Sequence, residues 1–569
     1  LQVLVVSPQQ IYNEFSAGRQ DVSAIRNFLK MLYDRQPDKL RYLLLFGAAS
    51  FDYKDRVQNN RNLVPIYESR ESLHPIYSYS SDDYFGFLED NEGEWIETIF
   101  TNNPFDHTLE IGVGRLPVKN TQEAAQMVDK LIYYSTSPDK FGAWRNWLTF
   151  VADDADFNLH QRDANNLSLI VENNHPQYNI RKIYLDAFPQ ALTPAGEQSP
   201  ETREAIRKAM EQGSLILNYT GHGGEVGWAE EAILRIEDIQ AWRNRVYPLI
   251  VTATCEFGRY DEPGIVSGAE QTLLLPQSGA IALITTTRPV FSSTNFLTNQ
   301  QVYQSVFTPL AGEMPRLGDV MRFTKNNSLS GSVNRNFALL GDPSLRLAYP
   351  QEEIHLTHVN DTDIALFPEQ QDTLKALEPI RLRGEIRNAA AQKQSQFNGQ
   401  VQVTVFDKPI SRRTFGTEGV PPFGFASREV RLFNGLATVK DGAFELSFIP
   451  PRNMLYAFGK GKVSLYAFDE VRQTDAGGSY QDLVEGGSAQ NLSPEDQAPQ
   501  VQLFLNDESF KSGGLVGNNP TLLARIFDES GISISSVGIG QDIVMYLNDS
   551  LEQARILYDY YTADLDTYQ

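Results

Sequence analysis

A single cysteine, Cys255, stands in 569 residues. One cysteine excludes an internal disulfide framework and any zinc site built on cysteines. Two readings of it remain, a small buried apolar residue or a reactive thiol, and its neighbours must decide. Positive charge is also in deficit: 49 Lys and Arg face 72 Asp and Glu, a formal net charge of −23. Nucleic acid and anionic membrane surfaces repel such a chain, so neither is its main partner. No run of about 18 apolar residues occurs, and no transmembrane helix is predicted. An initiator Met and a signal peptide are lacking too. The opening Leu1 to Val6 (LQVLVV) reads as a strand already inside a domain, as in a piece of a longer precursor, so missing targeting signals say nothing about location.

What remains is globular in composition. Apolar residues make up 41% and charged residues 21%, enough to build real cores, and the length suits roughly three to four domains. Up to about residue 350, apolar strand-like runs alternate with helical stretches. The strands include Tyr42 to Phe46, Leu148 to Val151, Ser214 to Asn218, Leu249 to Ala253 and Ala280 to Thr285; the helices include Val22 to Tyr33, Gln122 to Tyr134, Arg162 to Asn173 and Pro200 to Gln212. Nearly continuous apolar strands belong in a sheet covered on both faces. This predicts an α/β domain with a mostly parallel sheet. From Ile354 to about Phe468 the pattern turns to short alternating stretches, which predicts a β-sandwich over 351–475. Residues 476–499, rich in Gly, Ser, Gln and Asp, read as a linker or exposed loop, and 500–569 as a second, incomplete β domain. The segment Tyr67 to Tyr84 reads as a surface loop.

Chemistry concentrates between Ser214 and Phe257. A strand ends in Asn218-Tyr219-Thr220-Gly221-His222-Gly223-Gly224; a later strand ends in Thr254-Cys255-Glu256. Ligands of open parallel sheets bind at the carboxyl ends of strands. One β-α-β crossover separates His222 from Cys255, so both side chains can emerge at one sheet edge. A thiol with an ordinary pKa of about 8.5 needs such a base or cation to act at neutral pH, and the same imidazole can protonate a leaving amine. Gly221, Gly223 and Gly224 let a substrate backbone approach, and their N–H groups can cradle an oxyanion. The alternative is a plain Gly-His-Gly turn beside a buried strand end.

These residues resemble a known family. Tyr219 to Gly223 followed by Trp228, and Cys255 after an apolar strand, are similar to the catalytic core of the gingipain family of cysteine endopeptidases. Ser81 to Gly86 (SDDYFG), Glu110 to Val118 (EIGVGRLPV) and Leu339 to Leu345 (LLGDPSL) resemble three further family segments in the same order. The resemblance implies a caspase-like catalytic domain over 1–350, with two subdomains meeting near residue 140 and an N-terminal part missing, followed by immunoglobulin-like β-sandwich domains. Within the family, Ile11 to Phe28, Phe46 to Lys54, Asp528 to Gly538 and the long β-rich extension resemble the sortase branch of the Bacteroidetes type IX secretion system. That branch implies an enzyme on the outer face of the outer membrane. It would remove the C-terminal signal domain of secreted cargo and join the cargo to anionic lipopolysaccharide. An outer-membrane barrel protein and other attachment-complex subunits would be its partners.

By the same resemblance Cys255 is the nucleophile and His222 the general base and acid, with N–H groups of Gly223 and Cys255 as oxyanion donors and Gly224 and Glu256 lining the substrate backbone. Asp154 is the preferred acidic partner of His222; Asp153, Asp154 and Asp156 also read as an ordinary turn or a cation site. Glu256 is expected to face solvent, Trp228 to pack beside the site, and Asp82 and Asp83 to fix a loop. His160 falls near the position where the family carries an acid selecting basic P1 side chains, which implies cleavage at small or polar residues. The histidines other than His222 (His74, His107, His160, His175, His355, His358) show no metal-ligand spacing, so no metal ligand is assigned. Structural calcium is a family property that this acidic chain can accommodate, although no EF-hand spacing occurs; catalysis requires no cofactor. A purely hydrolytic protease and a catalytically idle surface binding protein are the competing readings.

Overall fold

A computed structural model of the chain describes residues 2–568 apart from 70–77, 93–106, 195, 329–332, 490–497, 530, 536–542 and 549; His74 lies outside the described residues. The first 350 residues are organised by one eight-stranded sheet. Its strands are β1 (Tyr42–Phe46), β2 (Gly112–Leu116), β3 (Trp147–Ala152), β4 (Asn179–Tyr184), β5 (Ile216–Thr220), β6 (Leu249–Ala253), β7 (Ala282–Thr286) and β8 (Phe337–Leu340), in the order β1-β2-β8-β7-β6-β5-β3-β4. All neighbours are parallel except β7 and β8. The sheet therefore consists of two parallel blocks running in opposite senses and joined at that one seam.

Apolar runs on the central strands supply both faces. Ile216, Leu249 and Ile284 enter one core with Val302, Tyr303 and Val320 of the helices Ser292–Val306 and Leu317–Asn327. Leu217, Ile250 and Leu283 enter the other with Ile206, Met210 and Leu273. This alternation is what a doubly covered sheet requires. Two expectations fail locally. Val3, Leu4 and Val5 are strongly exposed and form no strand, because no sheet edge receives them. The stretch Tyr67 to Tyr84 is not a surface loop where it is described: Tyr67–Glu68 pairs with Ser80–Ser81, and Tyr79 to Tyr84 are buried.

The seven strands Glu352–Val359, Ile380–Arg387, Ala443–Phe448, Arg431–Lys440, Gly399–Phe406, Lys462–Asp469 and Thr474–Tyr480 pair in that order. The last pairs back onto the first, with Glu352 level with Ala476. Hydrogen bonding thus closes one sheet around one core, where the sequence pattern suggested a sandwich of two separate immunoglobulin-like sheets. Part of the expected linker is strand, since Thr474–Tyr480 and Val484–Ser488 are both paired. Beyond it, the hairpin Gln500–Leu505 with Leu522–Phe527 is largely exposed. Ala563 returns to the barrel core, bridging to Gly435.

Candidate active site

The structure brings His222 and Cys255 to one edge. β5 and β6 are hydrogen-bonded parallel neighbours, with Tyr219 level with Thr252 and Thr220 level with Ala253. Each side chain follows two residues beyond its strand, at the carboxyl edge of the sheet. β3 flanks β5 on the other side and ends at Ala152, opposite Thr220. The two residues after it, Asp153 and Asp154, are buried.

Asp153 anchors the histidine loop. Its N–H donates to the Thr220 carbonyl at 3.0 Å. Its Oδ2 accepts the His222 backbone N–H at 2.8 Å, and its Oδ1 accepts the Asp154 N–H at 2.9 Å. Burial pushes the Asp153 carboxyl up to about 6, against the pull of the His222 N–H. Asp154 turns away from the imidazole. Its Oδ2 takes hydrogen bonds from Gln190 Nε2 and, at 3.3 Å, from Thr417 Oγ1. The carboxylate on the ring is Asp156, whose Oδ2 lies 3.1 Å from His222 Nε2. Asp154 is thus corrected to Asp156 as the acidic neighbour of His222. The reason is local: Asp156, Phe157 and Asn158 all adopt left-handed backbone angles (φ 57°, 56° and 63°), which swings Asp156 over the loop before the helix continues.

Cys255 is half-buried, its Sγ 3.8 Å from the Val290 carbonyl. Burial pushes the thiol pKa up, and the neighbouring Glu256 adds to it. Among the described residues the thiol and the imidazole share no hydrogen bond. Glu256, at φ 56°, makes the sharp turn after the cysteine. It does not simply face solvent: Arg259 Nη1 lies 3.3 Å from its Oε1 and 3.0 Å from Glu225 Oε1, clamping the turn after β6 to the loop after β5. Trp228 is fully buried, stacked on Tyr219 at 4.4 Å between ring centroids, and packs beside the site as expected.

The glycines differ in necessity. A Cβ at Gly221 would lie 2.2 Å from Asp153 Cβ, and one at Gly223 would lie 2.6 Å from Thr254 Oγ1; at Gly224 nothing lies within 4 Å. Gly223 sits opposite Trp228 in a narrow antiparallel pair, next to the bond from Ala229 N–H to the His222 carbonyl. In that register the Gly223 N–H points away from the ladder, free for another acceptor.

Residues 1–348 match the family described as Peptidase family C25. The chain belongs to this family of cysteine peptidases. Curated relatives of this C25 chain include Gingipain R2 and Gingipain R1 of Porphyromonas gingivalis, each 22% identical over 246 residues, or 42% of this chain. The match spans 27% of Gingipain R2 and 20% of Gingipain R1, a quarter or less of their length on average. Among solved structures, dimeric latent PorU from Porphyromonas gingivalis is 25% identical, covers 99% of this chain and 48% of its own, and has a TM-score of 0.36. The Arg-specific cysteine proteinase gingipain R is 16% identical, with 81% and 88% covered and a TM-score of 0.44.

Asp82 of the C25 chain binds Arg115 through both carboxylate oxygens, at 2.6 and 2.7 Å, and accepts the Tyr260 hydroxyl at 2.8 Å. Asp83 holds Lys325 at 2.7 Å. Both fix a buried segment and stand apart from the thiol's partners. Two clusters that chain spacing does not reveal also form here. Asp153, His160 and His222 bring ligand atoms within 4.8 Å of one another, as do Asp153, Asp154 and Glu231. In the second, Asp154 Oδ1 and Glu231 Oε2 are buried with no hydrogen-bond partner, an all-oxygen set that fits calcium. Glu231 carries no motif signal; only its burial beside two aspartates exposes it. Among the described residues no helix is long and apolar enough to cross a membrane.

Proposed function

We propose that this chain is a surface cysteine endopeptidase of the sortase kind. The observation that carries the peptidase part is the placement of Cys255 and His222 at the ends of adjacent parallel strands, beside the unladdered N–H of Gly223. A peptide carbonyl seated against the Gly223 and Cys255 N–H groups meets the sulfur. The thiol proton passes to His222 as the S–C bond forms, and the tetrahedral oxyanion is held by those N–H groups. His222, oriented by Asp156, then protonates the departing amine, leaving a thioester on Cys255. An amine of anionic lipopolysaccharide, or water, resolves the thioester and returns the proton to sulfur.

The cargo would be secreted proteins bearing a C-terminal signal domain, and the place of action the outer face of the outer membrane, with a barrel protein and attachment-complex subunits as partners. This part rests on the sequence resemblance. Asp153, Asp154 and Glu231 would hold a structural calcium, which supplies charge neutralisation and takes no part in the reaction. The β region, joined to the catalytic part through buried bonds such as Arg145 to Asp475, would position the enzyme.

The test uses purified chain, a Cys255→Ala control and cargo carrying its signal domain, with mass spectrometry of the new C-terminus with and without an amine acceptor. Cysteine-dependent cleavage with the amine attached is the expected result. A free carboxylate at saturating acceptor points to the hydrolytic protease, and an unreactive thiol to an idle binding protein.

A further inference from the structure

Peptide cleavage uses His222 and Asp156 but leaves His160 without a task. His160 is buried, at 5% exposure. Its Nε2 lies 3.4 Å from Asp156 Oδ2 yet makes no hydrogen bond there. The same Asp156 oxygen lies 3.1 Å from His222 Nε2, and the two imidazole rings stand edge to face, 5.1 Å apart at 87°. A buried polar atom with no partner carries a desolvation cost that a ligand can remove.

Two imidazoles and a carboxylate converging on one point form a donor set for a zinc-like ion, which takes three protein ligands and keeps an open position. Zinc–nitrogen bonds of about 2.0–2.1 Å place two tetrahedral ligands about 3.4 Å apart. His160, His222 and Asp153 already lie within 4.8 Å. His222, half exposed at its side chain, can make up the difference by a small rotation. Nitrogen donors also select against calcium, which prefers oxygen.

We propose that His160, His222 and Asp156 bind a transition-metal dication of the zinc class, with Asp153 at the edge of the site, and that occupancy withdraws His222 from proton transfer. On binding, His222 takes the Nδ1–H tautomer, a proton being lost from Nε2 and one gained at Nδ1 through solvent, and the Nε2 lone pair goes to the metal with the imidazole still neutral. The consequence for turnover rests on the peptidase reading, whereas the site itself does not.

The test is zinc titration of the full chain by calorimetry, with cobalt(II) as the spectroscopic probe. One ion per chain is expected, with affinity falling by roughly 10-fold or more in His160→Gln and in His222→Ala, and unchanged in Cys255→Ala. The cobalt spectrum should show d–d bands and no thiolate charge-transfer band. Cleavage of cargo, scaled to each variant's own rate in chelator, should be inhibited by zinc in the parent and escape inhibition in His160→Gln. Zinc bound equally well by folded His160→Gln overturns the proposal. So does a cobalt thiolate band lost in Cys255→Ala, which would put the metal on the cysteine. Metal bound as described by a chain that cleaves nothing supports the site and overturns the peptidase reading instead.

Discussion

A methyl group at position 221 has nowhere to go, because Asp153 and the Tyr219 hydroxyl already occupy its space. Gly221→Ala is expected to lower stability by about 1–3 kcal/mol and to displace His222. Gly224→Ala, facing open space, should stay within about 0.5 kcal/mol; urea midpoints of the two variants separate these outcomes. The thiol gives a second residue-level expectation. Its pKa is raised by burial first and by Glu256 as a further cause, so alkylation of Cys255 by iodoacetamide should reach half its maximal rate above the ordinary thiol value of about 8.5. Glu256→Gln should move that midpoint down. Glu231 supplies a third. Burial, with Asp154 and Asp153 adding, pushes it up from 4.5 to about 8. A carboxyl whose folded pKa is raised stabilises the fold fully below its unfolded value and loses that contribution as pH rises through the folded one. Without calcium, Tm should therefore fall between about pH 4.5 and 8; calcium or Glu231→Gln should flatten the fall.

At the level of elements, Asp82, Arg115 and Tyr260 tie the short helical turn Asp82–Gly86 to β2 and to the turn after β6. Arg115 is fully buried and also donates to the carbonyls of Gly47, Val64 and Pro65. Asp82→Ala leaves that guanidinium without its counter-charge and should cost about 3–5 kcal/mol in a denaturant titration. This network also explains why Tyr67 to Tyr84 misleads: its polar composition reads as surface, while the arginine that buries it lies a strand away. Elements governed by their own periodicity were legible. The helix Pro200–Gln212 and the strand Leu249–Ala253 match their sequence boundaries, and Val22–Arg35 extends its expected helix by two residues. The Cys255 and His222 pairing was legible because strand–helix–strand spacing carries it. From the sequence Asp156 reads only as part of a turn or a cation site, since three successive left-handed residues outside glycine leave no periodic trace. Barrel closure was equally hidden, because pairing between the first and last strands is a long-range contact.

Across the whole molecule the catalytic and β regions share buried polar bonds. Arg145 meets Asp475 at 2.6 Å with both side chains buried, Asn146 donates to the Leu465 carbonyl, and Lys462 to that of Tyr178. Arg145→Ala strands the buried Asp475 and should cost about 3–5 kcal/mol; calorimetry should find one transition for both regions in the parent and two in the variant. The hairpin Ile410–Arg413 with Gly424–Ser427 belongs to the β region by chain, yet its loop is held by Asp186 through the N–H groups of Gly416 and Thr417, and Thr417 reaches Asp154. The peptidase therefore borrows part of its floor from a neighbour downstream. A chimaera that exchanged the β module between relatives would inherit a catalytic half with Asp154 and Asp186 uncovered, unless the donor's hairpin carried matching hydroxyl and amide groups. The natural crossover point for recombination is therefore not residue 350, between the last strand of the catalytic sheet and the first of the β region, and the two modules are expected to descend together.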